Sequence, residues 1–148
     1  MSSLPDVWAL LRDVRSLRFD ARSEAATGWN GVGMGVVAVS EPGAGVVVFE
    51  ESGVWESPGR AQVRFTNVFR WSIVGEALRL EHLRFGPDRP VFLFDMSPDE
   101  HGNWQEISPH QCRDDCYTAS LRIAGPQLLV SWSIQGPRKQ ESIHYTYW

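Results

Sequence analysis

The spacing of apolar positions along the chain changes once, early. Leu4, Val7, Trp8, Leu10, Leu11, Val14 and Leu17 recur at i, i+3, i+4 and i+7, with Asp6, Arg12, Asp13, Arg15 and Arg18 on the other side. That pattern predicts an amphipathic helix over 4–18. Ser3, followed three residues later by Asp6, reads as an N-cap with an acidic first turn, and Pro5 is tolerated there. Such a stripe must dock on something apolar, and a helix preceding a barrel is placed to cover one of its mouths.

After a polar link over 20–27 the period becomes two and stays so. Strands are predicted over 31–40, 46–54, 61–74, 77–85, 90–96, 116–124, 127–135 and 140–148. Short turns separate nearly all of them: Glu41-Pro42-Gly43-Ala44-Gly45, Ser57-Pro58-Gly59, Gly75-Glu76, Gly86-Pro87-Asp88, Gly125-Pro126 and Gly136-Pro137. The one long connection, 97–108, is polar. Eight antiparallel neighbours in sequence order can close an up-and-down barrel, which removes exposed edges. The expectation is therefore an all-β domain spanning 1–148, with one N-terminal helix followed by an eight-stranded barrel over 29–148. A two-sheet sandwich is the competing arrangement.

Composition narrows the function classes. Seven Trp, seven Phe and three Tyr stand in 148 residues of net charge −4. The acidic balance speaks against a nucleic-acid or anionic-membrane partner. Two cysteines are too few for a disulfide scaffold, and no run is long and apolar enough for a membrane helix or an export signal. A cytoplasmic monomer or homodimer is expected, with a small molecule as partner and no cofactor or metal.

Polar residues on the aromatic faces are the candidate chemistry, because a buried polar group without a partner costs ~1–3 kcal/mol. Asn67 shares a face with Phe65, Phe69 and Trp71, and Glu51 with Phe49 and Trp55. His82 and Arg84 follow Leu78 and Leu80, and Tyr145 and Tyr147 alternate with His144 and Thr146. Trp132 lies on a further strand. Apolar walls with a few placed polar groups suit a ligand pocket; strand-end solvation and structural ion pairing are the plainer roles for the same residues. Trp29-x-Gly31-x-Gly33-x-Gly35 is not a dinucleotide fingerprint; its alternate glycines clear one strand face so that a ring, such as Trp29, or a ligand can approach the backbone.

The densest cluster is Pro109-His110-Gln111-Cys112-Arg113-Asp114-Asp115-Cys116-Tyr117. It admits a metal site through His110, Cys112 and Cys116, a thiol nucleophile in which Cys112 is activated by His110 or His144, or proton transfer by His110 with Asp115 orienting its ring. In the last reading Tyr117 donates a hydrogen bond. Asp115 capping turn amides is the structural alternative. The adjacent cations Arg138 and Lys139 at a hairpin tip can receive an anionic group or simply be solvated.

Four motifs carry a resemblance: Trp29-x-Gly31-x-Gly33, Phe49-x-Glu51-x-Gly53, His110-x-Cys112-x-x-Asp115-x-Tyr117 and Trp132-x-x-x-Gly136-Pro137-Arg138-Lys139. Over about 25–147 they resemble a family of small bacterial and fungal proteins of unknown function. The resemblance implies a calycin-like (lipocalin-like) barrel and brings no reaction with it. Gln140-Glu141 stands where that family carries an aromatic or acidic residue, which weakens an anion clamp at the Gly-Pro-Arg-Lys turn. The Trp-x-Gly-x-Gly opening is also similar to nitrobindin-like haem barrels, in which His144 would be the ligand.

The leading functional expectation is a barrel whose aromatic pocket takes a partly apolar, anionic small molecule through Trp29, Glu51, Asn67, Trp71, His82, Arg84, Trp132, Arg138, Lys139 and Tyr145. The alternatives are a cofactor-independent isomerase, lyase or hydrolase using His110, Asp115 and Tyr117, and a haem-binding barrel.

Overall fold

The computed structural model describes residues 3–24, 30–107, 110–112 (backbone only) and 114–148. Helix α1 runs Leu4–Asp13. It is held at its start by a capping box: the Ser3 hydroxyl accepts from the Asp6 amide, and the Asp6 carboxylate accepts from the Ser3 amide. Eleven strands follow among the described residues: β1 (Ser16–Ser23), β2 (Gly31–Gly43), β3 (Val46–Glu56), β4 (Val63–Val74), β5 (Ala77–His82), β6 (Val91–Pro98), β7 (Trp104–Glu106), β8 (His110–Cys112), β9 (Asp115–Ala124), β10 (Gln127–Gln135) and β11 (Gln140–Tyr147).

Each strand pairs antiparallel with its neighbours in the sheet. β1 bonds both β2 and β11, while β9 bonds β7 on one side and β10 on the other, so the sheet closes on itself. Ten strands complete the ring, and the short β8 lies against β9 beyond β7. The expected meander and its closure are therefore present, with more strands than the eight anticipated.

The extra strands have identifiable sources. The helix ends at Asp13 rather than at residue 18 because Leu17, Phe19 and Ala21 obey a second period. They alternate with Arg18, Asp20 and Arg22, and only the apolar set is buried. The helix-spaced Val14 and Leu17 hid that strand. β7 lies where a polar loop was expected, and β8 lies in the cluster that follows it, ahead of the strand expected from residue 116. Trp104 is the single large apolar residue of β7 and is wholly buried. Asp99 shapes the turn before it by accepting the amides of His101 and Asn103 at 2.8 and 3.0 Å. At the break between β7 and β8 the Glu106 carboxylate accepts the Ala119 amide at 2.9 Å, so a side chain takes over where the backbone ladder lapses.

The two ends of the barrel differ. The amides of Arg15 and Ser16 both donate to the Trp148 carbonyl at 2.8 Å, and the Val37 amide donates to the Arg15 carbonyl at 2.9 Å. These bonds pin α1 against β2 and β10 at the end where β1 begins and β11 finishes. Val7 and Leu11 are fully buried and join a core with Leu17, Val37, Val47, Leu78, Met96, Leu128 and Tyr147. This end is plugged. On the outer wall, cross-strand pairs such as Arg79–Asp95 and Arg70–Glu81 neutralise one another.

Candidate functional site

At the end opposite the helix the barrel holds an open cavity of about 1100 Å³. Barrel diameter grows with strand number, so a ring of ten leaves more lumen than the eight strands expected. The inner wall is a lattice of rings. Phe19 contacts Trp55, Phe65 and Tyr145 at centroid distances of 5.4, 5.1 and 5.1 Å. Trp132 meets Tyr145 at 5.1 Å and Phe69 at 6.0 Å, and Phe94 closes the row at 6.4 Å from Trp132. All these rings line the cavity. Phe19 fits because residue 33, its cross-strand partner, is glycine: a Cβ there would overlap the Phe19 ring. The alternate glycines of β2 thus admit a ring, but that ring is Phe19.

Among the described residues, the polar side chains of the lining are Asn30, Ser57, Arg60, Arg64, Asn67, His82, Arg84, Tyr117 and Tyr145, with no Asp or Glu. Among the described residues, a chain of net charge −4 therefore lines its cavity with three guanidinium groups and no carboxylate. Arg60, Arg64 and Arg84 carry no ion pair among the described residues, unlike Arg12, Arg18, Arg70 and Arg79. His82 stacks on Phe69 at 4.8 Å. Burial, reinforced by the charge of Arg84, pushes its imidazole below the usual histidine range, so it faces the cavity neutral.

One layer deeper, outside the lining, sits Glu51. It is buried, and its Oε2 accepts the Tyr147 hydroxyl at 2.5 Å while Oε1 has no partner among the described residues. Desolvation raises its pKa to about 8, against which the Tyr147 hydrogen bond works only in part. The same carboxylate lifts the Tyr145 and Tyr147 hydroxyls well above their usual range, after the larger effect of their own burial. Trp71 lies in the same buried interior, its indole nitrogen also unpartnered among the described residues.

The expected site residues thus divide. Asn67, His82, Arg84, Tyr117, Trp132 and Tyr145 come together around the cavity. Glu51 and Trp71 share the inward face but lie too deep to line it. Arg138 and Lys139 are exposed at the β10–β11 hairpin, away from the lining. Asp115 is outside the lining too: its carboxylate fills the space beside Gly136, where a Cβ would overlap it, so two of the motifs noted in the sequence meet each other. Register pairs His110 with Tyr117 and Cys112 with Asp115, but the His110 and Cys112 side chains, like the whole of Trp29, lie outside the described residues. His144 lies exposed on the outer wall, where its Nδ1 shares a hydrogen bond with the Ser131 hydroxyl at 2.8 Å. It cannot ligate a haem held inside, and the nitrobindin-like expectation for it falls.

Among the lining residues that escaped sequence reasoning are Phe19, Arg64 and Arg60. Phe19 was legible in the alternation Leu17-x-Phe19-x-Ala21. Arg64 has outward parity, yet at the end of β4 it reaches the mouth, and Arg60 arrives on a loop whose path no periodicity encodes.

Fold and site together define a closed antiparallel β-barrel, plugged at one end by a helix and open at the other into a ring-lined cavity. The chain belongs to the family of unknown function DUF6314, whose model matches residues 4–148. No curated protein and no solved structure matches it. No helix among the described residues is long and apolar enough to cross a membrane.

Proposed function

We propose that this barrel binds a small molecule that is partly apolar and anionic, admitted through the end opposite α1. The observation that carries the reading is the composition of the cavity: Phe, Trp and Tyr rings from seven strands form its walls, and Arg60, Arg64 and Arg84 bring the only formal charges among the described lining residues. Apolar walls supply the drive for desolvation, at roughly 25 cal/mol per Å² of apolar surface removed from water. Guanidinium groups without carboxylate partners supply charge-assisted hydrogen bonds and orientation.

Titration with the anionic dye 1-anilinonaphthalene-8-sulfonate tests it, read by dye emission and by the fluorescence of Trp55 and Trp132 in the wall. Saturable binding is expected, and Val91→Trp, which adds an indole to the lining, should weaken it. Absence of saturable binding, or binding indifferent to Val91→Trp, would overturn the reading.

A further inference from the structure

We propose that the corner where β4 meets the end of β5 is the anion-reading subsite of this cavity, where Arg84, His82 and Asn67 together receive the carboxylate of a ligand with a planar aromatic body. The inference rests on the binding reading above and adds where the charged group sits and what the remainder of the molecule is.

The backbone brings the three side chains to one place. Phe69 pairs with His82, and the Leu83 amide donates to the Val68 carbonyl at 2.8 Å, which carries the pairing one residue past the strand. Asn67 and Arg84 therefore flank the Phe69–His82 pair, and all four line the cavity. Their hydrogen-bonding capacity is unspent: among the described residues, neither the Asn67 amide nor the ring nitrogens of His82 have a hydrogen-bond partner, and Arg84 has no carboxylate. By contrast, the deeper inward-facing Tyr147 hydroxyl is satisfied internally by Glu51. The Arg84 guanidinium is steadied by the Phe85 ring at 4.9 Å, a contact through its face that leaves its N–H edges available. An amide, an imidazole N–H and a guanidinium edge converging without a carboxylate match a carboxylate acceptor.

The body of the ligand follows from what adjoins the corner. His82 lies over Phe69 at an interplanar angle of 22°, and Phe69 abuts Trp132 at 61° and Tyr145 at 83°. Such a wall offers both faces and edges of rings. A planar aromatic guest gains offset-stacked and edge-to-face contacts there, which a flexible alkyl chain does not make and must also lose rotamer freedom to approach.

Three probes decide the matter by calorimetry: 2-naphthoate, the neutral 2-naphthamide, and decanoate as an anionic alkyl chain. Naphthoate should bind about tenfold more tightly than either control, the scale of one charge-assisted hydrogen bond or a few ring contacts. Arg84→Gln should weaken naphthoate about tenfold and leave naphthamide unchanged; His82→Gln should weaken it by a smaller factor, while Arg138→Gln, at the exposed hairpin, should change nothing. Arg84 and His82 lie on exposed or half-exposed positions, so at least one variant remains folded for the comparison. Equal affinity for naphthoate and naphthamide, tighter binding of decanoate, or equal loss of both naphthyl probes in Arg84→Gln would each overturn the subsite. If the sulfonate dye binds the cavity under those outcomes, the general reading stands and only the subsite fails.

Discussion

Glu51 makes the stability of this barrel fall as pH rises. Its carboxyl sits at about 8 in the folded chain against 4.5 for an ordinary glutamate, and desolvation is the larger cause. A folded-state value above the unfolded one means that the native state holds the proton more tightly. The stabilisation is complete below about 4.5, is lost progressively as the unfolded chain ionises, and is gone once pH passes about 8. A difference of 3.5 between those two values corresponds to roughly 5 kcal/mol at ~1.4 kcal/mol per unit, most of it falling between pH 5 and 9. Glu51→Gln keeps the shape and the acceptor for the Tyr147 hydroxyl but removes the ionisation. Urea unfolding of both proteins, followed by Trp fluorescence, should give near-equal stability at pH 5 and an advantage for the variant of up to roughly 4 kcal/mol at pH 9. His82 and the other titrating groups are common to both chains, so their contributions cancel in the difference. A difference that stays flat from pH 5 to pH 9 would refute the reasoning, since it would mean that the carboxyl is solvated or paired in the native state.

The cavity and its supports carry further expectations. His82 is held neutral by burial and by Arg84, so an anion that offsets Arg84 favours its protonation; naphthoate should bind several-fold more tightly at pH 5.5 than at pH 8 by calorimetry, and His82→Gln should flatten that dependence. Gly33→Ala forces a methyl group into the Phe19 ring and should lower stability by ~1–3 kcal/mol in thermal unfolding, with Phe19→Leu in the same chain recovering most of the loss. Leu11→Ala, which hollows the fully buried face of the plug helix, should cost ~2–5 kcal/mol by urea titration while leaving the affinity for naphthoate at the far end unaltered. Ser3→Ala removes the hydroxyl arm of the capping box and should cost about 1 kcal/mol in the same assay.

The order of the strands was legible because the turns between them are short and carry Gly or Pro where the chain reverses. Gly75 and Gly125 take φ values of 61° and 62° at two-residue hairpins, the left-handed backbone that such connections require. What escaped was the number of strands, through two kinds of ambiguity. Leu17 satisfies both periods: it follows the C-cap Val14 at helical spacing, yet the helix ends at Asp13 and Leu17 already opens the buried set of β1. β7 is three residues long and contributes one buried ring, so no window of alternation exists to detect. A short strand is stabilised by its neighbours on both sides and by the Glu106 carboxylate, interactions that belong to the closed sheet rather than to its own residues.

The site was legible in one dimension and not in the other. Alternation assigns each side chain to the inside or outside of the wall, and on β4 it places Asn67, Phe69 and Trp71 together on the inside. It is silent about depth along the barrel axis, and depth is what separates their roles: Asn67 borders the open cavity, Phe69 forms its wall, and Trp71 is locked in the buried interior. Depth is set by which end the helix closes. That choice depends on the bonds from Arg15, Ser16 and Val37, which tie the helix exit to the end of β11 and to β2. Glu51, the cross-strand partner of Asn67, is enclosed and shifts toward its neutral form. Arg84, past the end of β5, instead lines the open cavity with Asn67. The plug helix therefore divides one continuous inward face into a buried, proton-holding floor and a cationic rim.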